Sequence, residues 1–365
     1  MKKGKFKRIV AGVLSALTMV TAVPGIAFAA GEHASISFAY MYQSNGSQIM
    51  YQDSFTGTHG SDGAPGRAMT QIYANGKEAY CIEPGAPLHT GDSLQANASS
   101  TWNNLSAGKK NGVKMALAFG KPGNSGGLGG SGDAKHLATQ MLVWEFVCGY
   151  RDTSSYDRSN GSIYNAFCKG GANNEVASNY NAIVNAMKSW NVKPSFANGS
   201  TYEMKWQDGK YVLTIKDTNG ALSGYSVASS DSNVKISKSG NTITLTSDKY
   251  IANNPTITLT KSSSISASAQ LVAYGSSSLQ DVVTGVAKIA DVTASFKVNT
   301  PGGTLKMVKT SEDGIVEGIK MTIKGDDFIK TVTTGKNGEV SVEGLIPGVY
   351  TVTEAVADFY EPQKE

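Results

Sequence analysis

Residues 133–149 constrain the fold of this chain more than any other stretch. Read as a helix, they put Leu137, Gln140, Met141 and Trp144 on one face, at the i, i+3, i+4, i+7 spacing. Asp133 is a good N-cap residue and Gly149 a good C′ residue. Gln140 therefore falls inside an apolar stripe. A buried amide without a partner costs a few kcal/mol, so the chain must bring a specific group to it. A thiol attacking the amide carbon would meet that need covalently. The product is an internal thioester, and ammonia is released.

Cys81 is the candidate thiol. It lies in Tyr80-Cys81-Ile82-Glu83-Pro84-Gly85, after a short strand and before a tight turn. Such a position can be held rigidly, which suits a preformed site. The chain has three cysteines, 81, 148 and 168. An odd cysteine in a secreted chain is a reactive-thiol candidate. Cys148 and Cys168 form either a disulfide between two helices or two buried thiols.

The two stretches together resemble the thioester domains of Gram-positive surface adhesins. Their aromatic-Cys-hydrophobic-acidic motif is matched by Tyr80 to Glu83. Their Thr-Gln-x-x-hydrophobic-Trp motif is matched by Thr139 to Trp144. The resemblance implies that Cys81 and Gln140 form a thioester that acylates a nucleophile, a lysine, on a host surface or extracellular-matrix protein. Tyr80, Met141 and Trp144 are then candidate walls of the pocket. His136, one helical turn before Gln140, is in reach as an acid or base. Glu83 belongs to the motif, with a structural role as its bland reading. His33, His59 and His89 are scattered without ligand spacing, so no metal or other cofactor is expected. Such a protein reacts once and is not an enzyme. The rival reading is a secreted cysteine hydrolase or transpeptidase, with Cys81 as nucleophile and His89 or His136 as base. A third is a structural pilin subunit.

Residues 1–29 read as a signal peptide. Lys2, Lys3, Lys5, Lys7 and Arg8 precede an apolar run, and Ala27-Phe28-Ala29 is a small-x-small cleavage site. The net charge of +4 includes those five positives, so the mature chain carries 4 − 5 = −1. Nothing in that balance calls for nucleic acid. No later run is apolar enough to span a bilayer, and a secreted, wall-associated location is expected.

The expected architecture is multidomain and mainly β. An α+β thioester domain covers 30–194, with a helix over 107–120 and another from Glu175 to Trp190. Between the first two helices, seven glycines in the thirteen residues 120–132 suggest a mobile loop without a phosphate-binding signature. Pro194 marks a boundary. Strand-like runs at short spacing over 195–299 suggest a β-sandwich stalk, with Leu271–Tyr274 as one of its strands. Residues 304–365 resemble the start of a Cna B-type, prealbumin-like domain of Ig-like build. The matching residues are Leu305 to Lys309 before Glu312-Asp313-Gly314, and Leu345 to Glu354. The resemblance implies Lys309 as an isopeptide-forming lysine and Glu354 as its proton shuttle. The bland reading is a surface ion pair. The family's Asn or Asp acceptor lies on a later strand, so no isopeptide is expected within these residues. Further B-type modules and a wall anchor are expected outside this chain.

Overall fold

The structure, a computed structural model, describes residues 32–326 and 328–355. The signal-peptide reading lies outside these residues. Strands β1 (His33–Tyr40), β2 (Phe55–Gly57), β3 (Gly60–Asp62), β4 (Thr70–Ala74), β5 (Lys77–Cys81) and β6 (Ser93–Ala96) come first. Helices α1 (Ser100–Asn104), α2 (Ala107–Phe119), α3 (Lys121–Asn124), α4 (Gly132–Cys148), α5 (Ser162–Cys168) and α6 (Asn174–Trp190) follow. Next are β7 (Asn198–Glu203), β8 (Lys205–Gln207), β9 (Lys210–Lys216), β10 (Ser226–Ser229), β11 (Lys235–Ser239), β12 (Thr242–Ser247) and β13 (Thr256–Lys261). Then come β14 (Leu271–Gly275), β15 (Val282–Gly285) and β16 (Val292–Asn299). The last are β17 (Gly303–Val308), β18 (Lys320–Gly325), β19 (Phe328–Thr333), β20 (Glu339–Leu345) and β21 (Thr351–Glu354).

The chain divides into two compact units. Of the described residues, one unit holds those up to Tyr180 together with Ile265–Lys288; the other holds Asn181–Ser264 and those from Ile289. The first unit is built on a closed barrel in the order β1-β4-β5-β15-β14-β6. The β4–β5 hairpin turns at Asn75-Gly76, where both residues have positive φ (49° and 71°) as a type I′ turn requires. Ala34, Ile36, Ile72, Ala79, Leu94 and Val282 are among the barrel's buried residues.

Helix α4 is buried along most of its length, including Ala138, Leu142, Val143 and Phe146 outside the expected stripe. It is an internal helix, buried nearly all round, rather than an amphipathic surface one. Its N-cap is Ser131, whose hydroxyl accepts from Ala134 N–H; Gly149 ends it in the left-handed conformation at φ 78°. Helix α2 packs against it closely: a Cβ on Gly112 would lie 2.3 Å from the Phe146 ring. The glycine-rich stretch expected to be a mobile loop is partly ordered as α3 and a following 3₁₀ turn. A Cβ on Gly123 would lie 2.2 Å from the Ala118 carbonyl oxygen, so that glycine serves a close approach.

The second unit contains two four-stranded sheets, β10-β13-β16-β7 and β11-β12-β9-β8, around one core that includes Tyr211, Leu245, Ile257 and Phe296. Asp217 pins the start of this sandwich by accepting from the N–H groups of Ser195, Asn219, Ala221 and Leu222. The terminal module has a β17–β20 pair and a β19-β18-β21 sheet over Ile323, Val342 and Leu345.

One expected boundary is corrected. Leu271–Tyr274 does not join the sandwich; β14 and β15 return to the first unit and close its barrel. Without them, β5 and β6 would each present an open edge. A chain cut at Pro194 should therefore lack a cooperative thermal transition. Fusing residues 265–288 to it through a short linker should restore one, as followed by circular dichroism.

Candidate thioester site

Cys81 is the last residue of β5, and the pairing around it decides where its main chain points. Its cross-strand partner on β15 is Val282, but the hydrogen bond beside it runs from Ile82 N–H to Asp281 O (3.0 Å). In an antiparallel ladder, hydrogen-bonded and non-hydrogen-bonded pairs alternate. The N–H and C=O of Cys81 therefore face the opposite edge. There β4 has already diverged, its register with β5 ending at Ile72↔Ala79. Gln140 of α4 fills the vacant ladder position. Cys81 N–H donates to Gln140 Oε1 (2.7 Å), and Gln140 Nε2 donates to Cys81 O (2.8 Å). Cys81 and Gln140 are 1% and 2% exposed. The side-chain amide thus behaves as one more strand residue, and both its ends are satisfied without water.

The thiol lies in the same dry site. Its sulfur accepts from Glu83 N–H at 3.4 Å. Burial pushes the Cys81 pKa far above the usual thiol range. The Trp144 indole N–H opposes that shift; it makes no hydrogen bond of standard geometry but is close enough to the sulfur to favour the thiolate. Cys148 and Cys168 are free thiols too, each pushed up to about 12 by burial. Of the two alternatives for this pair, the structure has the thiols.

The other candidate residues take these positions. Tyr80, Met141 and Trp144 are buried. Tyr80 stacks on His136, with ring centroids 4.2 Å apart. His136 is buried and hydrogen-bonds neither Cys81 nor Gln140; its Nδ1 stands 3.7 Å from Glu78 Oε2. Burial lowers its pKa, so the ring is neutral at pH 7. His89 is exposed beside Asp92, 3.5 Å away. Neither histidine forms a dyad with the thiol. Glu83 acts as a clamp: its Oε2 accepts from Asp281 N–H (2.9 Å), and its Oε1 is 3.1 Å from His59 Nε2. Thr139 donates to Lys135 O and accepts from Lys121 N–H, tying the α3 start to α4. A Cβ on Gly120 would lie 2.4 Å from that hydroxyl.

Sequence reasoning missed Asp281. Its main chain holds Ile82 and Glu83, and its Oδ2 accepts from Ser99 Oγ (2.8 Å) and Thr101 N–H (3.1 Å). It lies about two hundred residues from the cysteine motif, so no local pattern marks it. In the terminal module, Lys309 Nζ and Glu354 Oε2 approach to 3.1 Å, with side chains 23% and 43% exposed. That is a partly solvated ion pair rather than a buried one.

These features agree with comparisons to known proteins. Residues 78–189 match the family model "Thioester domain", and residues 303–363 match "Prealbumin-like fold domain" of the SpaA kind. Among solved structures, the chain is similar to the thioester domain of the Staphylococcus aureus TIE protein, at 18% identity and a TM-score of 0.43. That match covers 74% of this chain and 100% of the other. It is also similar to the Bacillus anthracis TIE protein, at 15% identity and a TM-score of 0.29, over 89% of this chain and 60% of the other. No curated protein matches it. The chain carries a thioester domain followed by a SpaA-like prealbumin domain, a pairing typical of Gram-positive surface proteins. The family matched by residues 78–189 supports a thioester-based, covalent adhesin kind of function.

The pKa directions fix a pH dependence. Burial alone would raise the Glu78 carboxyl, but the His136 ring and the Lys121 ammonium outweigh it and lower the pKa to about 2. A lowered folded-state pKa stabilises above the unfolded value of about 4.3 and loses that contribution as pH falls toward the folded one. The lowered pKa of His136 acts in the same sense, starting below about pH 6.5. Melting temperature should therefore fall on acidification. His136→Phe keeps the stack on Tyr80 and should flatten the upper part of that fall. Glu78→Gln should flatten the part below about pH 4.5.

Proposed function

We propose that the chain is a cell-surface adhesin whose Cys81 and Gln140 condense to an internal thioester, which then bonds to an amine, a lysine, on a host ligand. The observation that supports this most is the docking of the Gln140 amide, by both its ends, on the main chain of Cys81. In the cyclisation the Cys81 sulfur attacks Gln140 Cδ. The developing oxyanion sits on Oε1, where Cys81 N–H is already 2.7 Å away, within the range of an oxyanion donor. The thiol proton passes to Nε2, the Cδ–Nε2 bond breaks, and ammonia leaves. Burial keeps the thiol protonated, so this proton moves with the attack.

The same dry surroundings slow hydrolysis of the product. Each thioester reacts once, which makes the protein a covalent binder without turnover. The hydrolase reading requires a histidine base at the thiol, and His136 and His89 have other neighbours. The leader read at residues 1–29 would deliver the chain to the surface, with the sandwich as a spacer. In the terminal module the Lys309–Glu354 contact is a partly solvated ion pair and adds no support for an isopeptide site.

Mature protein should weigh one ammonia less than its sequence, and Cys81→Ala should restore the full mass. Cys81→Ala and Gln140→Ala should also abolish detergent-resistant adducts with host protein while leaving the melting transition cooperative. A wild-type protein of full mass would contradict this function.

A further inference from the structure

An amine on a macromolecule reaches the buried pair only where a covering element yields. Strand β15 is built into the barrel, and α4 is buried on nearly every side. The hairpin β2–β3 is different. It consists of two three-residue strands and a turn, with Thr56, His59, Gly60 and Ser61 exposed. It hangs on the turn after Cys81 through His59 N–H to Pro84 O (3.1 Å) and the His59–Glu83 pair. Phe55 roots it on the Trp144 ring, 5.2 Å between centroids. A short element with few hydrogen bonds opens before a barrel does.

This hairpin carries one carboxylate. Asp62 is the cross-strand partner of Phe55, so its side chain leaves the hairpin on the face that packs toward Trp144. It is half-buried, and the backbone N–H groups of Gly63 and Gly85 are close enough to favour its charged form. Burial raises its pKa, while those N–H groups and Arg67 oppose the rise. Its charge is felt by the Cys81 thiol and the Tyr51 hydroxyl, both of which it pushes up.

We propose that Asp62 receives the ammonium group of the incoming ligand and takes the proton that the amine must lose before attacking Gln140 Cδ. This rests on the thioester reading above. A lysine amine, with a pKa of about 10.4, arrives almost wholly protonated at pH 7. One proton moves to the Asp62 carboxylate. The free amine forms the N–Cδ bond, the Cδ–Sγ bond breaks, and the Cys81 sulfur takes a second proton from the nitrogen. The third stays on the new amide, and Asp62 returns its proton to solvent. The site therefore selects basic amines, by charge as well as by nucleophilicity.

Asp62→Asn keeps the size and an oxygen facing the two glycine N–H groups. The variant should still lose one ammonia on maturing. At pH 7 its reaction with methylamine should slow by about 10²-fold, while hydroxylamine, neutral at that pH, should react within a few-fold of wild type. Asp62→Glu should recover much of the methylamine rate. Equal slowing of both nucleophiles, or no slowing of either, would overturn the proposal. Wild-type protein gives a reading that needs no variant. Per unit of free base, its methylamine-to-hydroxylamine rate ratio should exceed that of a small-molecule thioester by about 10²-fold; equal ratios would again overturn it. A wild-type chain that loses no ammonia would instead defeat the thioester reading itself.

Discussion

The site depends on a side-chain amide standing in for a strand. Residue 81 ends β5 two residues beyond the last one paired with β4, on the edge that β15 does not use. Its N–H and C=O would otherwise be buried without partners, at about 1–3 kcal/mol each. Gln140 has the matching problem inside a buried helix. Each solves the other's, with bonds of 2.7 and 2.8 Å. The geometry that satisfies them also sets the amide carbon beside the residue that carries the thiol. Polar satisfaction and reactivity thus come from one contact.

That contact needs a rigid frame on both sides. On the strand side, the frame is the return hairpin β14–β15, contributed from beyond most of the sandwich sequence. Asp281 holds Ile82 and Glu83 through its main chain and the α1 start through its carboxylate. On the helix side, Thr139 fixes α4 to the α3 start, and the Tyr80–His136 stack locks the turn before Gln140. The matched thioester segment, residues 78–189, contains Cys81 and Gln140 but leaves out β1, β4, β14 and β15, four of the six barrel strands. The chemistry is local in sequence, whereas its support is not.

This division explains what could be read in advance. The motif pair, the Asn75-Gly76 turn and the Gly149 stop are written in adjacent residues, and all are found in place. Leu271–Tyr274 was readable as a strand but not as a barrel strand, because its short apolar run resembles those of the sandwich. Pairing partner is a long-range property that alternation does not encode. Gly120 and Gly123 looked like markers of mobility, yet they permit close packing against Thr139 and Ala118. His136 was placed correctly one turn from Gln140, but its ring is taken up by Tyr80 and Glu78. Asp281 stands in no motif at all; only the fold brings it to the turn after the cysteine.

The most direct measurement is the position of the label after methylamine treatment of mature protein, read by peptide fragmentation. A methylamide on the Gln140 side chain, with Cys81 open to alkylation only after treatment, is the result expected of a thioester between these two residues. An unmodified Gln140 carboxamide, together with a Cys81 thiol that alkylates in denaturant without any amine, would contradict it.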